Sequence, residues 1–271
     1  MKKFLVFTDL DGSLLDHDDY SWSKAVPALN ALAERSFPVI FTSSKTMAEI
    51  INLKKEIGNY HPFICENGSV ASIPLNYFEE FSAKGEQQYK THLFGKSSDQ
   101  ITSFLHELRN TYHYNFRGFS DMDVDELVEK TGLDNEGAKK AKQREASEPL
   151  QWMDTETAFK EFIKHLETND LIVTSGGRFF HVMSDVNKGQ TVSWLIQKYR
   201  NTEPETEWIT VGLGDSFNDI QMLEAVDYPV FISNNKTRQP DLSRIDNLQR
   251  PQLPGPAGWN QAILNLITKT L

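Results

Sequence analysis

The sequence contains little cysteine, no long apolar run and comparatively few basic residues, and each shortage excludes a class of protein. Its single cysteine, Cys65, cannot form a disulfide within the chain. No apolar run reaches the length of a transmembrane helix, and the N-terminal MKKFLVF is too short for the apolar part of a secretory signal. We therefore expect a soluble, cytoplasmic protein.

The charge balance argues against two kinds of partner. With 38 acidic and 28 basic residues the chain has a net charge of -10. This disfavours non-specific attraction to nucleic acid or to an anionic membrane, and we expect neither as a partner. An anionic substrate would have to be attracted by a local cluster of cations or by a metal ion. Nothing in the composition indicates an oligomeric state.

The order of the predicted strands and helices indicates two domains, which suits a length of 271 residues. Strands and helices alternate with short links up to Glu66, and the alternation resumes from Lys188, as is typical of a doubly wound parallel α/β sheet. Between them, residues 81–186 predict strands and helices without strict alternation. We expect an inserted α+β domain there, with residues 1–80 and 187–271 forming the catalytic core.

The stretch KFLVFTDLDGSLL, from Lys3 to Leu15, contains the first indication of a site. Its predicted strand ends in Asp9 and Asp11, which are two residues apart and so point to the same side. Gly12 then permits a sharp change of direction. Two such carboxylates repel each other unless a cation or proton lies between them, which favours Mg²⁺, and an aspartate beside Mg²⁺ can be a nucleophile. Taken alone, the pattern is equally typical of a turn.

Further polar side chains follow the other predicted strands, at the edge where open α/β sheets bind ligands. They are Ser43, Ser44 and Lys45 after the second strand, Glu66, Asn67 and Gly68 after the third, and Asp215 and Asp219 in GDSFND after the strand that begins at Trp208. Lys188 precedes the helix that leads to this last strand. Separately, the serines and GDSFND could be helix N-caps and the lysine a solvated surface residue. Their joint arrangement indicates one site.

With these residues the chain resembles a phosphatase of the haloacid dehalogenase superfamily. DLDGS matches the first motif, Ser43 the second, Lys188 the third and GDSFND the fourth. The position of the insert resembles the cap of the type IIB, or Cof-like, branch. Within that branch VIFTSSKT, ICENGS, KQREASEP and GGRFFHVMSDVNKG resemble the mannosyl-3-phosphoglycerate phosphatases, over nearly the whole chain. The resemblance implies a Rossmann-like core and Mg²⁺-dependent hydrolysis of a phosphorylated glycoside to mannosylglycerate and phosphate.

The resemblance also implies how the acidic residues act. Asp9 would attack phosphorus and become an aspartyl phosphate, while Asp11 would protonate the leaving oxygen and later activate water. Mg²⁺ would be held by Asp9, the backbone carbonyl of Asp11 and Asp215, with Asp219 as a ligand or as a residue that orients one.

Phosphate binding is implied for a second group of residues. Ser43 and Lys188 would bind the phosphoryl oxygens, with backbone N–H groups near Gly12 and Ser44 as further donors. Asn67 and Asn218 would support the site, Asn218 by orienting Asp215 or Lys188.

The inserted domain would select the substrate. The carboxylate of the phosphoglycerate needs a cation, and Arg144 and Arg178 are the candidates because a guanidinium matches a carboxylate. Each is equally consistent with a structural role, Arg144 as a solvated helix-end cation and Arg178 in a strand-end ion pair. The residues expected to contact the sugar hydroxyls are Ser120, Asp121, Ser147 and Glu148. His181 is expected to be packed rather than catalytic.

Other functions remain open. The same chemistry could act on glucosyl-3-phosphoglycerate or on another sugar phosphate, since one sequence does not distinguish mannose from glucose. A phosphosugar mutase of the phosphomannomutase type would also use two aspartates and a similar cap. A binding protein without activity is the third alternative.

Overall fold

The computed structural model describes residues 1–79, 88–176, 179–233, 241–243 and 245–270. Arg178 lies outside these residues. Within them, none of the helices combines the length and the apolar character needed to cross a membrane.

The described residues form eleven strands and nine α-helices. The strands are β1 (Lys2–Thr8), β2 (Val39–Thr42), β3 (Phe63–Cys65), β4 (Val70–Pro74), β5 (Tyr89–Leu93), β6 (Phe116–Gly118), β7 (Ser147–Trp152), β8 (Leu171–Gly176), β9 (Phe179–Ser184), β10 (Glu207–Gly214) and β11 (Tyr228–Phe231). The helices are α1 (Val26–Glu34), α2 (Met47–Ile57), α3 (Ser98–Tyr112), α4 (Val124–Thr131), α5 (Asn135–Ala141), α6 (Glu156–Glu167), α7 (Lys188–Thr202), α8 (Ile220–Glu224) and α9 (Gly255–Thr270).

Seven strands form the larger sheet, in the order β11-β10-β1-β2-β3-β4-β5. The pairs from β11 to β3 are parallel, and β4 and β5 add two antiparallel strands. Helices cover both faces, which explains why β1 and β10 are almost continuously apolar and buried. One face packs against Leu32, Ile50 and Trp259, and the other against Leu195 and Met222. The predicted parallel α/β core is confirmed.

A second, antiparallel sheet follows in the order β6-β7-β9-β8. Helices α3 and α6 bury Leu105 and Phe162 against it in a separate apolar cluster. Strand β5 belongs to the larger sheet, and the N–H of Phe94 still donates to the carbonyl of Ser69. The structure thus places residues 89–94 with the core strands, whereas the predicted insert begins at residue 81. The division into two domains stays a prediction.

The caps of the helices decide which polar residues remain for a site. Thr46 caps α2, accepting from the N–H of Glu49, whose side chain accepts from the N–H of Thr46 in return. The alternative that Ser43 or Ser44 caps this helix is therefore wrong. Ser97 caps α3, accepting from the N–H of Gln100. The serines after β2 lie at the sheet edge.

Candidate active site

Three buried aspartates meet at the carboxyl ends of two neighbouring strands. Asp9 follows β1, Asp215 follows β10, and Asp219 ends the short 3₁₀ turn Phe217–Asp219. Because β1 and β10 are adjacent and parallel, their ends lie side by side. Carboxylate oxygens of the three residues all lie within 4.8 Å of one another. Carboxylate oxygens this close form a set of ligands suited to a hard divalent cation.

Two glycines give the cluster its room. A Cβ added at Gly12, whose φ is +82°, would lie 2.5 Å from Oδ2 of Asp215. One added at Gly214 would lie 2.4 Å from the Cβ of Asp219. The GDSFND motif thus needs its glycine for close approach, and the DLDG motif needs its glycine for both approach and backbone conformation.

Lys188 supplies a cation inside the cluster. It is the first residue of α7 and is fully buried, and its Nζ lies 2.6 Å from Oδ1 of Asp9 and 2.6 Å from Oδ1 of Asp219. Burial alone would lower the pKa of Lys188, but the charges of Asp219 and Asp9 outweigh it and raise that pKa above its ordinary value. The lysine is therefore charged.

The electrostatics of Asp9 show that more positive charge can be accommodated. Burial, together with the charges of Asp219 and Asp215, raises the pKa of Asp9 well above its ordinary value, although Lys188 opposes the shift. Three carboxylates and one ammonium leave a formal excess of two negative charges. A divalent cation would neutralise this excess and favour the ionised form of Asp9. The donor set therefore fits Mg²⁺ in type and charge.

Asp11 has a different environment from Asp9. Its Oδ2 lies 2.9 Å from Nζ of Lys45, and its side chain is 37% exposed. The two aspartates of the DLDG motif are therefore unequal, one in the buried cluster and one at the edge of a cavity. The pKa of Lys45 is raised, because Asp11 and Glu49 outweigh the effect of burial. The sequence alone gives Lys45 no specific role, although its position directly after Ser43 and Ser44 places it at the same edge of the sheet.

The other predicted phosphate-site residues lie in loops beside the cluster. Ser43 is buried, and its Oγ accepts from the N–H of Lys45 at 3.2 Å. Nδ2 of Asn218 donates to Oδ1 of Asn67 at 2.9 Å, joining the loop after β3 to the loop that contains Asp215. The structure thus gives Asn218 a contact with Asn67, and its expected role in orienting Asp215 or Lys188 stays a prediction.

A cavity of about 230 Å³ opens between the larger sheet and the second sheet. It is lined by Asp11, Ser44, Lys45, Glu49, Phe119, Thr131, Leu133, Ala141, Arg144, Phe179 and His181. Nη1 of Arg144 lies 3.1 Å from the carbonyl oxygen of Ser44 and 3.3 Å from Oγ of Ser147. The predicted cation therefore lies beside the cavity. Burial and the charge of Arg144 lower the pKa of His181 to about 3, so this ring is neutral.

The remaining residues predicted to bind the sugar are held by contacts with neighbouring residues on or beside the second sheet. The N–H and Oγ of Ser120 donate to Oε1 of Glu148 at 2.8 and 2.6 Å. Burial raises the pKa of Glu148, against the effect of these bonds. Asp121 pairs with Arg109, at 2.7 and 3.0 Å. Among the described residues that line the cavity, Ser120, Asp121 and Glu148 are absent.

A carboxylate and lysine cluster at the ends of parallel strands, beside a cavity lined in part by the second sheet, suits a phosphoric monoester hydrolase. The chain belongs to the haloacid dehalogenase-like hydrolase family, which matches residues 6–239.

Two relatives match over nearly their full length. A protein of Methanococcoides burtonii named glucosyl-3-phosphoglycerate/mannosyl-3-phosphoglycerate phosphatase is 39% identical over 269 residues, covering 98% of each chain. A protein of the same name from Persephonella marina is 32% identical over 268 residues, covering 98% of this chain and 97% of its own. A crystal structure of a Thermoplasma acidophilum protein has the same fold, with a TM-score of 0.69 at 18% identity, over 98% of this chain and 99% of that one.

Proposed function

We propose that the chain is a Mg²⁺-dependent phosphatase that hydrolyses mannosyl-3-phosphoglycerate to mannosylglycerate and phosphate. The observation that carries the proposal is the cavity beside Asp11, which has two cations, Lys45 and Arg144, on its walls. A phosphate ester with a second anion on its leaving group would satisfy both the buried cluster and these cations. The names of the two relatives support a glycosyl phosphoglycerate as that ester.

The substrate would span the two domains. Its phosphoryl group would lie at Asp9, where Ser43 and Lys188 bind the phosphoryl oxygens. Its glycerate carboxylate would contact Arg144, whose planar guanidinium is suited to a carboxylate. The sugar would extend along the cavity towards the neutral ring of His181. We propose residues 81–186 as the cap that provides this second half, with residues 88–94 packed against the core.

The first step would transfer the phosphoryl group to the enzyme. A carboxylate oxygen of Asp9 attacks phosphorus, and the bond from phosphorus to the glycerate oxygen breaks. Asp11 donates a proton to that oxygen, so mannosylglycerate leaves as an alcohol. The placement of Asp11 at the cavity and of Asp9 in the cluster suits this division of roles.

The second step would return Asp9 to its free state. Asp11, now a carboxylate, removes a proton from water, and the water oxygen attacks the phosphorus of the aspartyl phosphate. The bond between phosphorus and the Asp9 oxygen breaks, and inorganic phosphate is released. Lys188 remains charged and offsets the negative charge on Asp9 in both steps. Mg²⁺ held by Asp9, Asp215 and the backbone carbonyl of Asp11, with Asp219 beside it, would neutralise the phosphoryl oxygens.

Glucosyl-3-phosphoglycerate is the second candidate substrate. Both relatives are named for both sugars, and glucose and mannose differ in configuration at one carbon only. The contacts proposed for the phosphate and the carboxylate are identical for both esters. A phosphosugar mutase has less support, since both relatives are named phosphatases.

A substrate panel tests the proposal. We expect kcat/KM for mannosyl- and glucosyl-3-phosphoglycerate to exceed that for mannose 6-phosphate and glucose 6-phosphate by at least about a hundredfold. The hexose phosphates lack the carboxylate and so lose its contacts with the two cations of the cavity, Lys45 and Arg144. Equal low rates on all four would contradict the substrate assignment. Stoichiometric release of inorganic phosphate separates hydrolysis from phosphate migration within the substrate.

A further inference from the structure

The turn Glu66–Gly68, directly after β3, has three consecutive residues with left-handed backbone angles. Their φ values are 50°, 57° and 101°. Glycine adopts such angles freely, whereas glutamate and asparagine do so only when surrounding contacts compensate for the strain. The contacts of this turn are therefore informative about its purpose.

Glu66 joins the core to the second domain. The residue is 1% exposed. Its Oε1 accepts from the N–H of Glu145 at 2.7 Å, and its Oε2 accepts from the N–H of Ala146 at 3.2 Å and from Oγ of Ser147 at 2.5 Å. A carboxylate removed from water requires donors of this kind, and all three lie on one segment of the second domain.

The segment that Glu66 holds is the one that places Arg144. Arg144 directly precedes Glu145, and its guanidinium bridges the carbonyl of Ser44 in the core and the hydroxyl of Ser147. Loss of the Glu66 contacts would free residues 144–147 to shift relative to the core. The distance between Arg144 and the phosphoryl site would then no longer be fixed.

The same turn contacts the catalytic loops from the other side. The N–H of Glu66 donates to the carbonyl of Lys45, and the N–H of Asn67 to the carbonyl of Ser43, both at 3.0 Å. The side chain of Asn67 accepts from Asn218. One turn thus touches the phosphate-binding loop, the loop of the metal-site aspartates and the second domain.

We propose that Glu66 is a positioning residue that holds residues 144–147 over the catalytic edge, so that a substrate anion reaches Arg144 while its phosphoryl group lies at Asp9. Glu66 acts through Arg144 and does not itself contact the reacting atoms. The identity of the anion rests on the proposed function, whereas the contact between domains does not.

The test compares Glu66→Gln with Asp227→Asn. The glutamine keeps the size of the side chain but turns an N–H₂ group towards backbone donors. Asp227 is a matched control in the core, since its Oδ2 accepts from the N–H and Oγ of Thr210 at 2.8 and 2.7 Å. We expect Glu66→Gln to raise KM for mannosyl-3-phosphoglycerate at least tenfold and to change kcat/KM for 4-nitrophenyl phosphate less than threefold. The control should affect both substrates alike. Equal losses on both substrates in Glu66→Gln, or no loss, would overturn the proposal.

Amide hydrogen exchange gives a readout that needs no substrate. In Glu66→Gln the amides of Glu145 and Ala146 should exchange at least tenfold faster, while those of α6 stay unchanged. Unchanged exchange at these two amides would overturn the proposal even if activity falls. If the wild-type protein hydrolyses neither mannosyl- nor glucosyl-3-phosphoglycerate, the proposed function fails, and the exchange result still decides the role of Glu66. If Glu66→Gln does not fold, Ser147→Ala should show the same two effects in weaker form, and their absence would count against Glu66.

Discussion

Lys54 provides a prediction that can be worked out quantitatively. It lies on the apolar face of α2 and is 2% exposed, between the rings of Phe41 and Phe63. Its Nζ donates to Oδ1 of Asn59 at 2.7 Å and to the carbonyl of His61. Burial lowers the pKa of Lys54 from 10.5 to about 7. The folded protein therefore binds this proton more weakly than the unfolded chain does.

The sign and size of the effect on stability follow by linkage. Between pH 7 and 10.5 the unfolded chain keeps the proton that the folded state has released, so the free energy of unfolding rises with pH. The slope approaches 1.36 kcal/mol per pH unit, and the whole interval corresponds to roughly 5 kcal/mol. Below pH 7 both states bind the proton, and Lys54 contributes no further pH dependence.

The perturbation is Lys54→Met, which replaces the ammonium by an apolar group of similar length. The variant lacks the pH-dependent contribution of Lys54. Between pH 7 and pH 9.5 the free energy of unfolding of wild type should therefore rise by about 3 kcal/mol relative to that of Lys54→Met. Urea unfolding of both proteins at each pH measures this difference, because the contributions of the other titrating groups are the same in both proteins and cancel. Lys55→Met, at the exposed neighbouring position, is the control and should show no such trend. A constant difference between wild type and Lys54→Met over this range would refute the reasoning.

Two further predictions concern the site. Arg144→Ala should lower kcat/KM for mannosyl-3-phosphoglycerate by about 10- to 100-fold through KM, the usual cost of one charged hydrogen bond, while 4-nitrophenyl phosphate changes less than threefold. Lys139→Ala, on the exposed side of α5, should change neither, and a parallel loss on both substrates would make Arg144 structural. Gly12→Ala should destabilise the fold by about 1–3 kcal/mol in urea unfolding and raise the Mg²⁺ concentration at half-maximal activity, since its Cβ would displace Asp215. Unchanged stability and unchanged Mg²⁺ dependence would contradict the close approach of these residues.

Local patterns in the sequence were sufficient to predict the acidic cluster. Asp9 and Asp215 each follow an apolar strand, and parallel neighbours bring such ends together wherever the sheet forms. Lys188 is predicted by its motif, and the structure places its Nζ between Asp9 and Asp219. These positions depend on backbone topology, which periodicity and motif spacing encode.

Contacts between distant segments could not be predicted in the same way. Glu66 and Ser147 are 81 residues apart, and their hydrogen bond depends on how the second sheet packs on the larger one. The carboxylate of Asp121 could bind a sugar hydroxyl, but in the structure it pairs with Arg109 on α3. Strand β5 carries mostly exposed side chains at the sheet edge, so its sequence has no apolar signature to mark it as part of the core. The spacing of apolar residues shows which face of a helix or strand is buried, but it does not show which distant segment packs against that face.

The most direct test of the central claim is phosphate release from mannosyl-3-phosphoglycerate by wild type and by Asp9→Asn, each with Mg²⁺ and with a chelator. We expect release by wild type only with Mg²⁺, recovery when Mg²⁺ is added back, and a loss of at least about a thousandfold in Asp9→Asn, whose amide is a poor nucleophile. Turnover without a divalent metal ion, or turnover that survives Asp9→Asn, would contradict the account.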